Sequence, residues 1–181
     1  MLAAIGRLAA EGFLRVVPQV GCWVANVDAQ EVADFFRFFA LAEGLACELA
    51  SARRQPAQLE SLHAKLDETR RLLASELDPA RQAREFFRIN REFHGMIHAM
   101  ARSNFAADLA AGMWDRCDFY LASADPHIQG ERATLSESEH EAIAAAIAGG
   151  HAKRARQLMV AHIESFGEAA VKRLGGGRMA G

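Results

Sequence analysis

Cysteine is scarce. Cys22, Cys47 and Cys117 are the only three in 181 residues, an odd and widely spaced set that excludes a disulfide scaffold. Only four prolines occur, at positions 18, 56, 79 and 126, and each falls where a helical pattern is expected to start or stop. No apolar run approaches the ~18 residues of a membrane span. The opening Met1-Leu-Ala-Ala-Ile-Gly-Arg7 has no charged stretch ahead of its apolar residues, so it does not read as a signal peptide. Cytoplasm is the expected compartment, with no membrane partner. An excess of positive charge is also missing. The formal net charge is -2, so the whole chain carries no basic footprint for nucleic acid. No G-x-S-x-G, phosphate-loop or dinucleotide fingerprint is present.

What is there is apolar and helical. Hydrophobic residues make up 51% of the chain and charged residues 24%, enough to bury a core without staples. Alanine and leucine abound, and β-branched residues thin out after residue 30, which favours helix. A short helix over 2–11 is expected, ended by Gly12. Two short strands, Leu14–Val17 and Cys22–Val27, flank Pro18-Gln19-Val20-Gly21 as a hairpin. Six helices are then expected near 29–53, 57–77, 79–102, 104–123, 131–149 and 151–174. Asp28 with Glu31 reads as a capping box, Asp78 and Asn104 as caps, and Pro56 and Pro79 as first helical residues. Leu59, Leu62, Leu66, Leu73 and Leu77 form one apolar stripe. Gly149-Gly150 separates the last two helices. The fold class is therefore all-α: an antiparallel bundle of about six helices over 28–175, behind a small hairpin-bearing unit over 1–27, with 176–181 as a flexible tail.

Polar residues that interrupt the apolar stripes carry the functional information. Phe86, Ile89, Phe93, Ile97 and Met100 share one helix face, and Asn90 and His94 stand on its edge one turn apart. His140 precedes Ile143, Ala144 and Ile147 on one stripe. His162 lies among Leu158, Met159, Ile163 and Phe166 on another. Each histidine alone reads as half-buried and hydrogen-bonded. Three inward imidazoles from three helices need three sets of partners, or one shared divalent cation. Both readings stand on pattern alone. His98 could extend the row begun by His94. His63, His127 and His151 read as surface or loop residues. Glu139 and Glu141 flank His140 and are expected to point off its face.

Arg37 interrupts Phe35-Phe36-Arg37-Phe38-Phe39. It either reaches to solvent or is held inside to grip a carboxylate. Arg81, Arg84, Arg88 and Arg91 read as a solvated helix face, and Arg53-Arg54 as a helix C-terminus.

Three stretches resemble the GntR transcription regulators, in the FadR-like subgroup with an FCD ligand-binding domain. Arg7-Leu-Ala-Ala-Glu-Gly-Phe-Leu14 and Gly21-Cys-Trp-Val24 resemble the end of that family's recognition helix and its wing. Asn90-Arg-Glu-Phe-His94, with Ser103-Asn104 further on, resembles its [D/N]-x-x-F-H segment. Ser138-Glu-His140-Glu-Ala-Ile143, Ala146-Ile-Ala-Gly-Gly150 and Met159-Val-Ala-His162 resemble its remaining motifs. The resemblance implies a divalent metal on Asn90, His94, His140 and His162. Zinc is the first expectation; nickel, manganese and iron also suit such ligands. It further implies a small carboxylic-acid effector reaching Arg37 and the metal in one pocket, a homodimer, and operator DNA touched by Arg7, Arg15 and the wing around Gly21.

There are departures from the family pattern. Asn90 stands where many members have Asp, and His151 where Asp is usual. The chain begins inside the winged helix, and Met1-Leu-Ala-Ala-Ile5 lacks the usual Arg and Glu. The 181 residues are therefore expected not to read DNA specifically, whereas a longer parent would. Three functions compete at this point: a ligand-responsive transcription regulator, a metal-dependent enzyme on a helical bundle, and a dimerisation module without metal.

Overall fold

The computed structural model describes residues 2–176. A short helix, α1 (Leu2–Ala10), leads into a two-stranded antiparallel hairpin of β1 (Leu14–Val17) and β2 (Gly21–Val24). Leu14 pairs with Val24 and Val17 with Gly21. Gln19, at φ 62°, takes the left-handed turn position. The second strand is shorter than expected. Beyond Val24 the chain turns away: Ala25 N–H reaches back to Phe13 O at 3.0 Å, and the next element is already a helix.

That helix, α2 (Ala29–Arg53), is followed by α3 (Pro56–Leu73), α4 (Pro79–Ala101), α5 (Asn104–Ala124), the single turn α6 (Ile128–Glu131), α7 (Ala133–Ala148) and α8 (Ala152–Gly176). Pro56 and Pro79 open their helices as expected, and Asp78 accepts from Arg81 N–H at 3.0 Å. Two cap expectations and one helix end need correction. Ser103, not Asn104, caps α5, its hydroxyl accepting from Ala106 N–H at 3.3 Å. Asp28 caps α2, but Glu31 does not complete a box; it accepts from Tyr120 Oη at 2.5 Å. Helix α3 ends four residues early, where the Ser75 hydroxyl and the Gln82 amide both donate to Leu72 O, at 2.6 and 3.0 Å. A helix stops cheaply where side chains satisfy its last carbonyls. Gly176 belongs to α8 and not to a tail. The rest of the expected tail, 177–181, lies outside the described residues.

Helix α2 is the spine. It packs against α8, α4, α7 and α5, while α3 lies on α4 and α7. Val32, Phe36, Phe39, Cys47 and Ala50 on its inner face are sealed from solvent, each large side chain contributing ~1.5–3 kcal/mol. Two glycines let α2 and α8 approach. A Cβ on Gly167 would lie 2.5 Å from Phe36 Cβ, and one on Gly44 would lie 2.7 Å from Val160 Cγ2. Arg53-Arg54 does close helix ends, though partly on other helices. Arg53 donates to Ala101 O at 2.5 Å and Arg54 to Ala148 O at 3.1 Å. The hairpin unit rests on α5, where Phe13 meets Phe119 edge-on at 5.1 Å and Arg116 lies over Phe13.

Candidate metal centre

Helices α4, α7 and α8 each deliver one histidine to the same point of the core. The apolar face of α4 (Phe86, Ile89, Phe93, Ile97, Met100) is buried, and that burial turns His94 inward between Phe93 and Ile97. His140 enters from α7 beside Ile143, and His162 from α8 beside Ile163. All three are closed to solvent, at 0%, 2% and 2% exposure. One ring nitrogen from each lies within 4.8 Å of the others. Nε2 of His140 and Nε2 of His162 are 3.2 Å apart. Phe93 stacks on His140 at 4.1 Å, and Trp114 packs against His94 at 4.5 Å.

The outer nitrogens are held by carboxylates. His94 Nδ1 donates to Glu43 Oε2 at 2.9 Å, and His162 Nδ1 donates to Glu139 Oε2 at 2.6 Å. With its proton fixed on Nδ1, His94 keeps a lone pair on Nε2, and that nitrogen is buried without a partner. Asn90, one turn before His94 on α4, is also buried, and its Oδ1 has no partner. Unpaired buried acceptors of this kind are costly. A divalent cation satisfies them, and a carboxylate behind a ligating imidazole is the usual supporting arrangement. The residues therefore fit such an ion.

Electrostatics point the same way. Burial pushes the His94 imidazole down to about 4, against the pull of Glu43. Burial also pushes His140 well below its ordinary value, helped by His162 and His94. Both rings are neutral at pH 7, the state in which imidazole ligates. Burial alone would raise Glu43, but hydrogen bonds from His94 and His98 outweigh it and hold the carboxyl at about 2.

Two residues here, Glu43 and Glu139, escape the sequence reading. Glu43 is fully buried and binds His94, His98 (Nε2 to Oε1, 2.7 Å) and Trp114 (Nε1 to Oε1, 3.1 Å). Its signal was available: it occupies an inner position of α2, between Phe39 and Cys47 at helical spacing. Glu139 does not point off the face of its helix, because α8 packs close enough for His162 to reach it. His98 does extend the row, but toward Glu43 and not toward the other two rings.

Arg37 is not in this pocket. It is exposed and lines an open cavity of about 310 Å³ between α2 and α8, with Phe36, Glu164 and Glu168. Six residues along a helix from Glu43, it sits about 120° round the axis from the buried face, so the expected shared pocket is not observed. Arg7 is exposed on α1 beside Glu11 at 3.5 Å. Arg15 is exposed on β1, and Gly21, at φ 144°, opens β2. Of the arginine row on α4, Arg88 is half-exposed and pairs with Glu68, Glu85 and Glu92, as a solvated face should.

An all-helical bundle with inward histidines at these positions defines the class. The FCD domain family matches residues 34–165, and the chain belongs to that family. Among solved structures, E. coli McbR/YncC matches with a TM-score of 0.76 at 18% identity, over 95% of this chain and 78% of that one. Streptococcus agalactiae GntR matches with a TM-score of 0.59 at 18% identity, over 91% and 78%. A transcriptional regulator, a GntR family member from Pseudomonas syringae pv. tomato str. DC3000, matches with a TM-score of 0.62 at 17% identity, over 97% and 70%. At such identities the likeness is one of fold. No curated protein sequence matches. No helix among the described residues is long and apolar enough to cross a membrane.

Proposed function

We propose that the chain is the sensing part of a GntR-type transcription regulator, whose helical domain (28–175) holds a divalent metal on His94, His140 and His162 with Asn90 as an oxygen donor. The convergence of three buried imidazoles, with His94 Nε2 left unpartnered, carries the reading. Zinc suits a histidine-dominated set best. A small carboxylate reaching the metal's open positions is the proposed effector. The three rings are sealed, so such an effector enters only if packed side chains move. That coupling of occupancy to bundle packing is what a sensor requires. Arg37 enters this reading from the α2–α8 groove, not from the metal pocket.

The hairpin unit (1–27) is the proposed DNA-facing part. Exposed Arg7 and Arg15, with the backbone at Gly21, are suited to phosphates, which position a protein on DNA without reading sequence. A homodimer is the proposed assembly. The test of the central claim is elemental analysis of native protein, with a thermal-shift screen of carboxylic acids on the same sample. About one metal per chain, and acid-dependent stabilisation that disappears with a chelator, is the expected result. Metal-free native protein that also fails to take up zinc would end it.

A further inference from the structure

We infer that Glu43 and Glu139 are the positioning carboxylates of this centre: they fix which nitrogens of His94 and His162 face inward and supply the negative charge that the ligands lack. The inference rests on the metal reading above. Three imidazoles and one amide bring no charge to a dication. A neutral donor set in a dry core leaves the full +2 uncompensated, which low dielectric makes expensive. Two carboxylates stand one hydrogen bond away, at 2.9 Å from His94 Nδ1 and 2.6 Å from His162 Nδ1.

Glu43 is not placed there for solubility or as a surface ion pair. It is 0% exposed, and among its partners only the imidazoles can carry a compensating charge. Both its oxygens are engaged: Oε2 by His94, Oε1 by His98 and Trp114. The three donors come from α4 and α5 while Glu43 comes from α2, so the carboxylate is locked from two sides. An imidazole that donates from Nδ1 to a locked carboxylate has only Nε2 for a metal, and its basicity is raised. Glu139, a quarter exposed, does the same for His162 from the surface side.

A purely structural role predicts something different. Glu43 would then pin α2 to α4 and α5, and its loss would lower stability with no particular effect on metal. The experiment uses the full chain with Zn²⁺ as the probe, competed against a chromophoric chelator. The variants are Glu43→Gln, Glu139→Gln and Trp114→Phe. Long-range ¹H–¹⁵N spectra of the histidine rings are recorded on the metal-free proteins.

Wild type is expected to show His94 and His162 as single Nδ1–H tautomers. Each Glu→Gln variant is expected to lose that preference at its own histidine and to bind zinc ~10–100-fold more weakly. Trp114→Phe removes one donor to Glu43 Oε1 but keeps the carboxylate and its bond to His94 Nδ1, so it should weaken zinc binding less than Glu43→Gln does. Zinc affinities of Glu43→Gln and Glu139→Gln both within twofold of wild type overturn the inference while leaving the metal reading intact. Wild type that takes up no zinc overturns the metal reading itself. If Glu43→Gln does not fold, the partly exposed Glu139→Gln decides by the same criterion.

Discussion

The Nε2 atoms of His140 and His162 face each other at 3.2 Å inside a sealed core. Two bare lone pairs at that distance repel, so one nitrogen carries a proton in the metal-free protein. His162 has given its proton to the Nδ1 side, toward Glu139, so the bridging proton belongs to His140. With His140 in its other tautomer, both lone pairs turn to the same place, beside the unpartnered Nε2 of His94.

Removing either end of that arrangement should therefore remove the metal. His94→Ala or His162→Ala is expected to drop zinc from about one per chain to a small fraction, and to abolish the rise in melting temperature on adding zinc. Arg37→Ala, on the exposed side of α2, should leave zinc uptake unchanged. Full stoichiometry in both histidine variants, by elemental analysis after gel filtration, contradicts the assignment.

The buried neutral imidazole gives metal-free protein a defined response to acid. An unfolded histidine takes a proton near 6.5, whereas folded His94 resists until about 4. Between those values the unfolded state binds more protons, so stability rises with pH there and is lost as pH falls from 6.5 toward 4. The loss is on the order of 2–3 kcal/mol. Glu43, held at about 2, adds a second loss below its unfolded value of 4.5. Urea denaturation in chelator at pH 7.5, 6 and 5 measures the first window. A flat profile across it means His94 is not buried neutral.

Much of this is legible in the sequence. Helical periodicity put His94, His140 and His162 on inward faces because the apolar neighbours of each repeat at three and four residues. Pro56, Pro79 and Gly149-Gly150 marked helix boundaries, since proline and glycine act locally. What the sequence hid was pairing between helices. Glu43 and His94 are 51 residues apart, and only the packing of α2 on α4 joins them. Glu139 escapes a reading of its own helix for the same reason: only the packing of α8 on α7 brings His162 within reach of it. The phenylalanines around Arg37 leave both of its directions open, and Phe38 beside it is itself exposed. A run of apolar residues does not say which side of the helix is the core.

The contact between α2 and α8 offers a test of the fold alone. Gly167 has no side chain where Phe36 sits, and an added Cβ would lie 2.5 and 2.7 Å from two of its atoms. Alanine is the better helix former by ~1 kcal/mol, which pulls toward stabilisation. Phe36 is buried and cannot yield, and overpacking costs ~1–3 kcal/mol. Gly167→Ala should be mildly destabilising and Gly167→Val severely so, by urea midpoint. A midpoint raised by alanine means that the helices are further apart than described.

Asn90 supplies the sharpest test of the donor set. It lies one turn from His94, its Oδ1 buried and without a partner. Asn90→Asp keeps the shape and adds a charge. In metal-free protein that charge is buried with no partner for its oxygen, so the melting temperature should fall. With a dication present the sign reverses, because an anionic oxygen replaces a neutral one. The gain should be larger for manganese, which prefers carboxylate, than for zinc, which imidazole already suits. The expected result is a lower melting temperature in chelator, a larger rise on adding metal, and roughly tenfold tighter manganese binding, about 1.4 kcal/mol. Thermal shift with and without each metal, and chelator competition for affinity, read all three. Metal affinities equal to wild type, with only the melting temperature lowered, would place Asn90 outside the ligand set and leave three histidines to hold the ion by themselves.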